Sequence, residues 1–181
     1  MDKLTTVVSD NKSGIEIAFN LALEKGYQRI DKIGGPYTSK AFEERTNEFS
    51  SLVNKHKTNS YFVEASGFGF NSGFQAGLKL LEEVPTKPEF VIVGSDALAF
   101  GVIRAFESKG YKVPGDISVI GFDDIEFSHL FTPSLTTIGQ NKKALGITAA
   151  EQLISLIKDK QEKKQVVIKL PVELIKRNSV N

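Results

Sequence analysis

Cysteine is absent from this 181-residue chain, which excludes disulfide bonds, thiolate catalysis and cysteine-ligated zinc sites. Histidine is scarce as well. Only His56 and His129 are present, far apart in the sequence, so we expect no metal site. No apolar run approaches the roughly 20 residues that a membrane-spanning helix needs. The start of the chain has neither the apolar core nor the small-residue cleavage site of a secretory signal. We therefore expect no membrane segment.

An excess of either charge is also missing, because 23 Lys and Arg residues stand against 22 Asp and Glu residues, for a net charge of +1. Nucleic-acid-binding domains usually carry a basic face and a high isoelectric point. The densest basic stretch, Lys158 to Lys164, also contains Asp159 and Glu162 and is typical of a solvated loop. We therefore do not expect the residues present here to bind DNA themselves.

Motifs of nucleotide-binding and catalytic sites are missing too. The chain has no G-x-x-x-x-G-K-[ST] phosphate loop and no G-x-S-x-G nucleophile elbow. The glycines of the stretch Gly67 to Gly73 are spaced G-x-G-x-x-x-G, one residue too long for a dinucleotide-binding fingerprint. No nucleophile, base and orienting group are assembled, so we expect neither an enzyme nor a bound cofactor.

What the chain does contain is a regular alternation of short β-type runs and helical patterns, the signature of βαβ units and a parallel sheet. Ser13 and Glu16 form a capping-box pattern, so we predict that the first helix begins at Ser13. Strands are predicted at residues 4–9, 29–33, 61–65, 90–93, 117–120, 135–138, 166–168 and 172–175, and the longer helices at 39–56, 97–109 and 142–158.

Small and polar residues gather at the predicted carboxyl ends of four strands, which is where open parallel sheets bind ligands. The runs are Gly34-Gly35-Pro36, Ser66-Gly67, Gly94-Ser95-Asp96 and Gly121-Phe122-Asp123-Asp124. Turns and helix caps also demand such residues. The cluster alone therefore supports a cleft only weakly, and Ser95 and Asp96 fit helix caps as well as ligand contacts.

Arg45 and Phe68 are more specific signals. Arg45 lies on the apolar stripe of its predicted helix, between Phe42 and Phe49. A buried guanidinium needs acceptors, and two remain open: the carboxylate of Asp123, or hydroxyl and carboxylate groups of a ligand. Phe68 lies in a strand–helix loop, where an exposed ring suits stacking on a sugar or a base. A loop phenylalanine can equally pack over the edge of the sheet.

A series of motifs follows in a characteristic order along nearly the whole chain. They are Asp10-Asn11-x-x-Gly14, Gly26-Tyr27-Gln28-Arg29-Ile30, Gly34-Gly35-Pro36, Arg45 with Phe49, Ser95-Asp96-x-x-Ala99-x-Gly101, Val113 to Asp124, Pro133 to Gln140, Gly146, and Leu170 to Ser179. In this order the chain resembles the LacI/GalR family of bacterial transcriptional regulators. The run from Val113 through Thr137 is the most specific part of the resemblance.

The resemblance implies an α/β fold like that of type I periplasmic binding proteins, with the C-terminal lobe essentially complete and the N-terminal lobe largely missing. Residues 1–12 would be the last strand of the N-terminal lobe and a crossover, and residues 13–139 the C-terminal lobe. Residues 140–168 would return to the N-terminal lobe, and 169–181 would add a strand to the C-terminal lobe. The helix at 142–158 would then lack cover. We predict that it is displaced, swapped onto a neighbour, or part of a self-association surface.

The resemblance also implies a function: a cytoplasmic, homodimeric regulator that senses a sugar or sugar-like effector, with operator DNA bound by an N-terminal helix-turn-helix outside this chain. The effector-binding residues carried over by position are Arg45, Phe68, Ser95, Asp123 and Gln140. Ser95 stands where asparagine is usual, which leaves the effector class open. Leu130 and Phe131 fall at the family's dimer interface, although their apolar side chains fit core packing equally well.

Two other classes compete with this interpretation. A periplasmic sugar-binding protein of a transport system would share the fold. The absence of a signal sequence, the Leu135-Thr136-Thr137-Ile138 run and the Leu174-Ile175-Lys176-Arg177 ending favour the regulator. A nucleotide-dependent enzyme of doubly wound fold is disfavoured by the missing phosphate loop. Because an effector needs contacts from both lobes, we expect this chain alone to bind it weakly or not at all.

Overall fold

The computed structural model describes residues 5–158 and 166–181. Leu4, predicted to begin the first strand, and the predicted solvated loop beyond Lys158 lie outside these residues. The predicted alternation of strands and helices is confirmed. In chain order the elements are β1 (Thr6–Ser9), α1 (Asn11–Glu24), β2 (Ile30–Gly34), α2 (Lys40–His56), β3 (Phe62–Glu64), α3 (Phe70–Glu83), β4 (Phe90–Val93), α4 (Asp96–Ser108), β5 (Ser118–Asp123), α5 (Phe127–Leu130), β6 (Thr136–Gln140), α6 (Lys142–Lys158), β7 (Val167–Leu170) and β8 (Val172–Ile175).

Most strands join one six-stranded sheet in the order β3-β2-β4-β5-β6-β8, which is parallel except for β8. Successive side chains alternate between two cores, as the period of two in a strand requires. Phe90 and Ile92 of β4 face α1 and α2, whereas Val91 and Val93 face α3 and α4. The predicted α/β class with a mostly parallel, doubly covered sheet is therefore confirmed.

A separate two-stranded sheet is formed by β1 and β7, which run parallel. Helix α6 packs against β1, but none of its residues is buried, and Leu153 and Ile157 are 59% and 71% exposed. Three crossovers connect the two sheets, and they lie side by side where the Asp10 amide donates to the Leu170 carbonyl at 2.8 Å. Within the described residues, no helix is both long and apolar enough to cross a bilayer.

Helix α1 begins two residues earlier than predicted, at Asn11. The carboxylate of Asp10 caps it, accepting the amide of Ser13 at 3.2 Å and the Ser13 hydroxyl at 2.9 Å. The prediction of a start at Ser13 is thus wrong. A charged acceptor at the amino end of a helix satisfies free amides and suits the helix dipole, so the aspartate takes the capping position and the serine hydroxyl becomes its donor.

Candidate functional site

The strand order places a crevice at the carboxyl ends of β2 and β4. From β2 the chain passes through α2 to β3 on one side, and from β4 it passes through α4 to β5 on the other, so the loops after β2 and β4 diverge. Gly35 and Gly94 lie at these loops. A Cβ on either glycine would come within 2.7 Å of the Phe42 ring, so both glycines leave room for that ring beside the crevice.

Arg45 reaches this crevice from α2. It is 4% exposed, and its guanidinium stacks on the Phe122 ring with 3.5 Å between Cζ and the ring centroid. Its Nε donates to Asn11 Oδ1 at 2.9 Å and its Nη1 to the Gly94 carbonyl at 2.6 Å. The same Nη1 lies 3.4 Å from Asp123 Oδ1. Of the two predicted acceptors, Asp123 is therefore present, but at a longer distance than the backbone carbonyl.

Asp123 is the centre of a chain of hydrogen bonds. Gln140, the last residue of β6, donates from Nε2 to Asp123 Oδ1 at 2.5 Å. Ser9, at the end of β1, donates its hydroxyl to Gln140 Oε1 at 2.5 Å. Three of the predicted effector-binding residues, Arg45, Asp123 and Gln140, are thus brought together, and the Asp123 side chain remains 24% exposed.

Burial and charge oppose each other in this group. Burial lowers the pKa of Arg45, and the attraction of Asp123 acts against that shift. Burial likewise raises the pKa of Asp123, with Arg45 and Gln140 acting in the opposite direction. The attraction within the pair therefore offsets part of the cost of burying the two charges.

The end of β5 turns sharply through two residues of positive φ, Asp123 at 117° and Asp124 at 48°. Such angles are rare for residues with a side chain, and they concentrate at functional sites. The turn sends the two carboxylates apart, because Asp124 Oδ1 accepts Arg177 Nη2 at 2.7 Å. Lys142 Nζ also donates to the Asp124 carbonyl at 2.7 Å, which ties the start of α6 to this turn.

The other two predicted effector-binding residues differ in their exposure. Phe68 is 51% exposed, and its ring centroid is 5.5 Å from that of Phe42. Ser95 is 7% exposed, and its hydroxyl accepts the Leu98 amide at 3.4 Å as the N-cap of α4. Phe68 therefore has a ring face available at the crevice, whereas the Ser95 hydroxyl is engaged with its own helix.

Asp96 supports the site from below. It is fully buried and accepts the Ser128 hydroxyl at 2.7 Å, the Thr137 hydroxyl at 2.5 Å and the Ile125 amide at 2.9 Å. Burial raises its pKa to about 6, against the effect of these donors. The sequence left open whether Asp96 caps a helix or contacts a ligand. Because all three of its donors come from the protein, the structure does not favour a ligand contact. Among the described residues, no group of three or more His, Asp or Glu side chains could hold a metal ion.

Leu130 and Phe131 have different surroundings. Leu130 is 63% exposed, whereas Phe131 is 8% exposed and lies 4.6 Å from the Phe100 ring, centroid to centroid. Phe127, 52% exposed, contacts the same two rings edge-on. The outer side of this aromatic cluster is thus open apolar surface.

A cavity of about 480 Å³ lies at the opposite, amino-terminal end of the strands. Its buried cation, Arg29, donates to both oxygens of Asp31 and to the Thr86 hydroxyl. Glu89 there accepts the backbone amides of Gln28 and Arg29. These charges join neighbouring loops to one another, so we place the functional site at the carboxyl ends, where Asp123 keeps exposed acceptor capacity.

Sequence reasoning missed Ser9 and Asn11 as site residues. Asn11 holds Arg45 Nε and donates in turn to Glu44 Oε2 at 3.0 Å, while Ser9 orients Gln140. Both residues flank Asp10 at the crossover from β1 to α1. Polar residues just after a strand were a usable signal, but their partners are 34 and 131 positions away in the sequence.

Residues 20–180 match the family model of the periplasmic binding protein-like domain. The chain is 34% identical over 179 residues to the probable HTH-type transcriptional repressor ExuR of Bacillus subtilis, covering 98% of this chain and 53% of that repressor. It thus spans about half the length of the curated relatives it matches.

Solved structures agree with the sequence matches. The Lac repressor bound to ONPG superposes with a TM-score of 0.88 at 29% identity, over 96% of this chain and 52% of the repressor. A LacI family transcriptional regulator from Enterococcus faecalis with bound ribose gives a TM-score of 0.87 at 27% identity, over 99% of this chain and 64% of the regulator. From the family match, these relatives and the shared fold, we conclude that the chain belongs to the periplasmic binding protein-like domains of the LacI/GalR family of transcriptional regulators.

Proposed function

We propose that this chain is part of the effector-sensing domain of a transcriptional repressor, and that the effector binds over Arg45, Asp123 and Gln140. The observation that carries the proposal is the incompletely closed pair: Arg45 Nη1 lies 3.4 Å from a carboxylate that is 24% exposed. Charge-assisted hydrogen bonds from nitrogen to a carboxylate are usually shorter, at about 2.7–2.9 Å. A ligand hydroxyl placed at this pair would gain both a donor and an acceptor.

The chemistry of the crevice favours a sugar or a sugar-like molecule. A polyol presents hydroxyl groups that both donate and accept, and here Arg45 donates while Asp123 accepts. The half-exposed ring of Phe68 offers an apolar face on which a sugar ring can stack. Ser95 would contribute little, because its buried hydroxyl accepts the Leu98 amide. The ribose bound to the Enterococcus faecalis regulator supports this class.

We further propose that the effector site is only half present in this chain. Residues 1–12 and 140–168 would belong to a second lobe, and residues 13–139 and 169–181 to the lobe that carries Arg45. Helix α6, without a buried residue, would be covered by that second lobe or by another chain. An effector needs contacts from both sides, so the chain alone would bind it weakly or not at all.

The remaining parts of the proposal concern partners. Leu130 and Phe127 form open apolar surface continuous with Phe131, and we assign it to a homodimer interface. Operator DNA would be bound by a helix-turn-helix outside the residues present here. The protein would act in the cytoplasm as a regulator without enzymatic activity, and the repressors among its relatives support this over a transport role.

Calorimetry on a chain extended to the length of its relatives tests the effector site, with D-ribose and a panel of other sugars as probes. We expect saturable binding to one sugar class, lost in Arg45→Met and in Asp123→Asn. The matched control is Lys79→Met, because Lys79 lies on the exposed side of α3 and is 56% exposed. Undiminished binding in both site variants would refute the site. Micromolar binding by the present chain alone would refute the claim that half of the site is missing.

A further inference from the structure

Lys32 is an unusual residue for its position in the middle of β2. It is fully buried, and among the described residues its Nζ is the one buried side-chain nitrogen or oxygen without a hydrogen-bond partner. By the alternation of the strand it shares a face with Ile30, towards α1 and α2. The nearest aromatic surface is the Phe49 ring, whose centroid is 6.0 Å from Nζ, at the outer limit of a cation–π contact.

No described carboxylate on this face accepts a hydrogen bond from Lys32 Nζ. Helix α2 presents Arg45, which has the same sign, and Glu48, which pairs with Lys12 of α1 at 3.7 Å. From β5, Asp123 is engaged by Arg45 and Gln140.

The neighbouring strands offer no partner either. Asp31 lies on the opposite face of β2 and is bound by Arg29. Ile92 and Phe62, the residues in register with Lys32 on β4 and β3, are apolar. A charged amine here would therefore be buried without a counter-ion, which is strongly unfavourable.

The surroundings favour the uncharged amine. Burial lowers the pKa of Lys32 to about 7, and the charge of Arg45 adds to the shift. The electrostatic influence is mutual, so a proton on Lys32 would repel the Arg45 guanidinium. Arg45 is held by single hydrogen bonds to Asn11 and Gly94 and by the longer contact with Asp123.

We infer that Lys32 is a positioning residue for the candidate site: its uncharged amine allows Arg45 to stay against Asp123, and protonation of that amine loosens this contact. That Arg45 matters for ligand binding rests on the proposed function. The electrostatic effect of Lys32 on Arg45 is independent of that proposal. The device would make the geometry of the crevice respond to pH near neutrality.

Nuclear magnetic resonance on the present chain tests the inference without any ligand. Lysine Cε and arginine Nε–H signals are followed from pH 6 to pH 9.5 in the wild type and in Lys32→Met. We expect Lys32 to titrate near pH 7, while exposed lysines stay charged until about pH 10. The Nε–H signal of Arg45 should shift with the same midpoint in the wild type and show no such midpoint in Lys32→Met.

The exposed Lys55, in the last turn of the same helix as Arg45, supplies the control. Lys55→Met should leave both titrations unchanged. An Lys32 signal that titrates near pH 10 would overturn the inference, and so would an Arg45 midpoint that persists in Lys32→Met. If Lys32→Met does not fold, the wild-type signals still test the inference, because it requires the Lys32 and Arg45 signals to titrate with the same midpoint pH. Failure of the extended wild-type chain to bind any of the sugars in calorimetry would count against the proposed function alone.

Discussion

The six-stranded sheet and the two-stranded sheet are built from strands of similar length, yet their side chains are covered very differently. Every residue of β2 and β4 is buried, whereas β7 alternates between exposed and half-buried residues. The helices differ in the same way, since nine residues of α4 are buried and none of α6. The contrast separates a buried core from a region whose apolar side chains the described residues leave uncovered.

Helix α6 is not short of apolar residues. Ile147, Leu153, Ile154, Leu156 and Ile157 are all between 38% and 71% exposed, and at about 100° per residue they cover roughly half of the helix circumference. The helix contacts β1, and a sheet of two strands is marginally stable by itself. The apolar surface of α6 is therefore larger than the area that the described residues bury.

The largest expected change comes from the buried amine of Lys32, which has no hydrogen-bond partner among the described residues. Lys32 has a pKa of about 7 in the folded chain against an ordinary value of 10.5, so the unfolded chain binds more protons between these values. Stability should therefore rise with pH from 7 to 10.5, by at most about 5 kcal/mol from this group, and the gain should be lost as pH falls to 7. Urea unfolding should show Lys32→Met more stable at pH 7 and without this slope. Identical pH profiles for the two proteins would contradict it.

One chemical change made in both regions measures the contrast directly. Leu80 of α3 is fully buried and Leu153 of α6 is 59% exposed. Leu80→Ala removes packed atoms and leaves a cavity, which should cost about 3 kcal/mol, whereas Leu153→Ala should change the free energy of unfolding by less than about 0.5 kcal/mol. Urea denaturation of both variants gives the comparison. Equal losses would mean that α6 is covered in solution, for example by a second copy of the chain.

A smaller effect is expected at the junction between the regions. Asp10→Ala removes the cap of α1 and should cost about 1 kcal/mol, and Ser13→Ala should cost less because the helix keeps its charged acceptor. Thermal unfolding of the two variants compares them. A greater loss of stability in Ser13→Ala than in Asp10→Ala would support the capping box predicted from the sequence.

The smallest expected change in unfolding free energy, within about 0.5 kcal/mol, is that of Ile157→Lys. Ile157 is 71% exposed, so its replacement removes little packing from the chain itself. If α6 forms a self-association surface, the variant should be more monomeric than the wild type in sedimentation at equal concentration. Lys143→Glu, on the exposed first turn of α6, is the control that changes charge but not apolar area. If Ile157→Lys self-associates as strongly as the wild type, α6 does not form a self-association surface.

The sequence predicted the fold well where signals are local. The apolar runs of β4 and β5 and the helix that carries Arg45 needed only their own residues and periodicity. The start of α1 was misplaced because Ser13 and Glu16 match a capping box, while Asp10 competes for the same amides with a stronger acceptor. That competition is decided by backbone geometry, which the pattern does not contain.

The candidate site was predicted only in part. Arg45 stood out because a cation on an apolar stripe requires an acceptor, and Asp123 was the carboxylate at a neighbouring strand end. Ser9 and Asn11 could not be found in this way, since their roles depend on three crossovers coming together in space. Lys32 was also missed, because the absence of a partner becomes visible only when every neighbour is known.

The hydrogen bonds from Ser9 through Gln140 to Asp123 begin in the two-stranded sheet and end in the six-stranded one. Both bonds lie at the junction of the two sheets. A tilt of one sheet against the other would change this chain of hydrogen bonds and with it the position of the carboxylate beside Arg45. If an effector binds at that carboxylate, as we propose, the angle between the two sheets and the affinity for the effector would be linked.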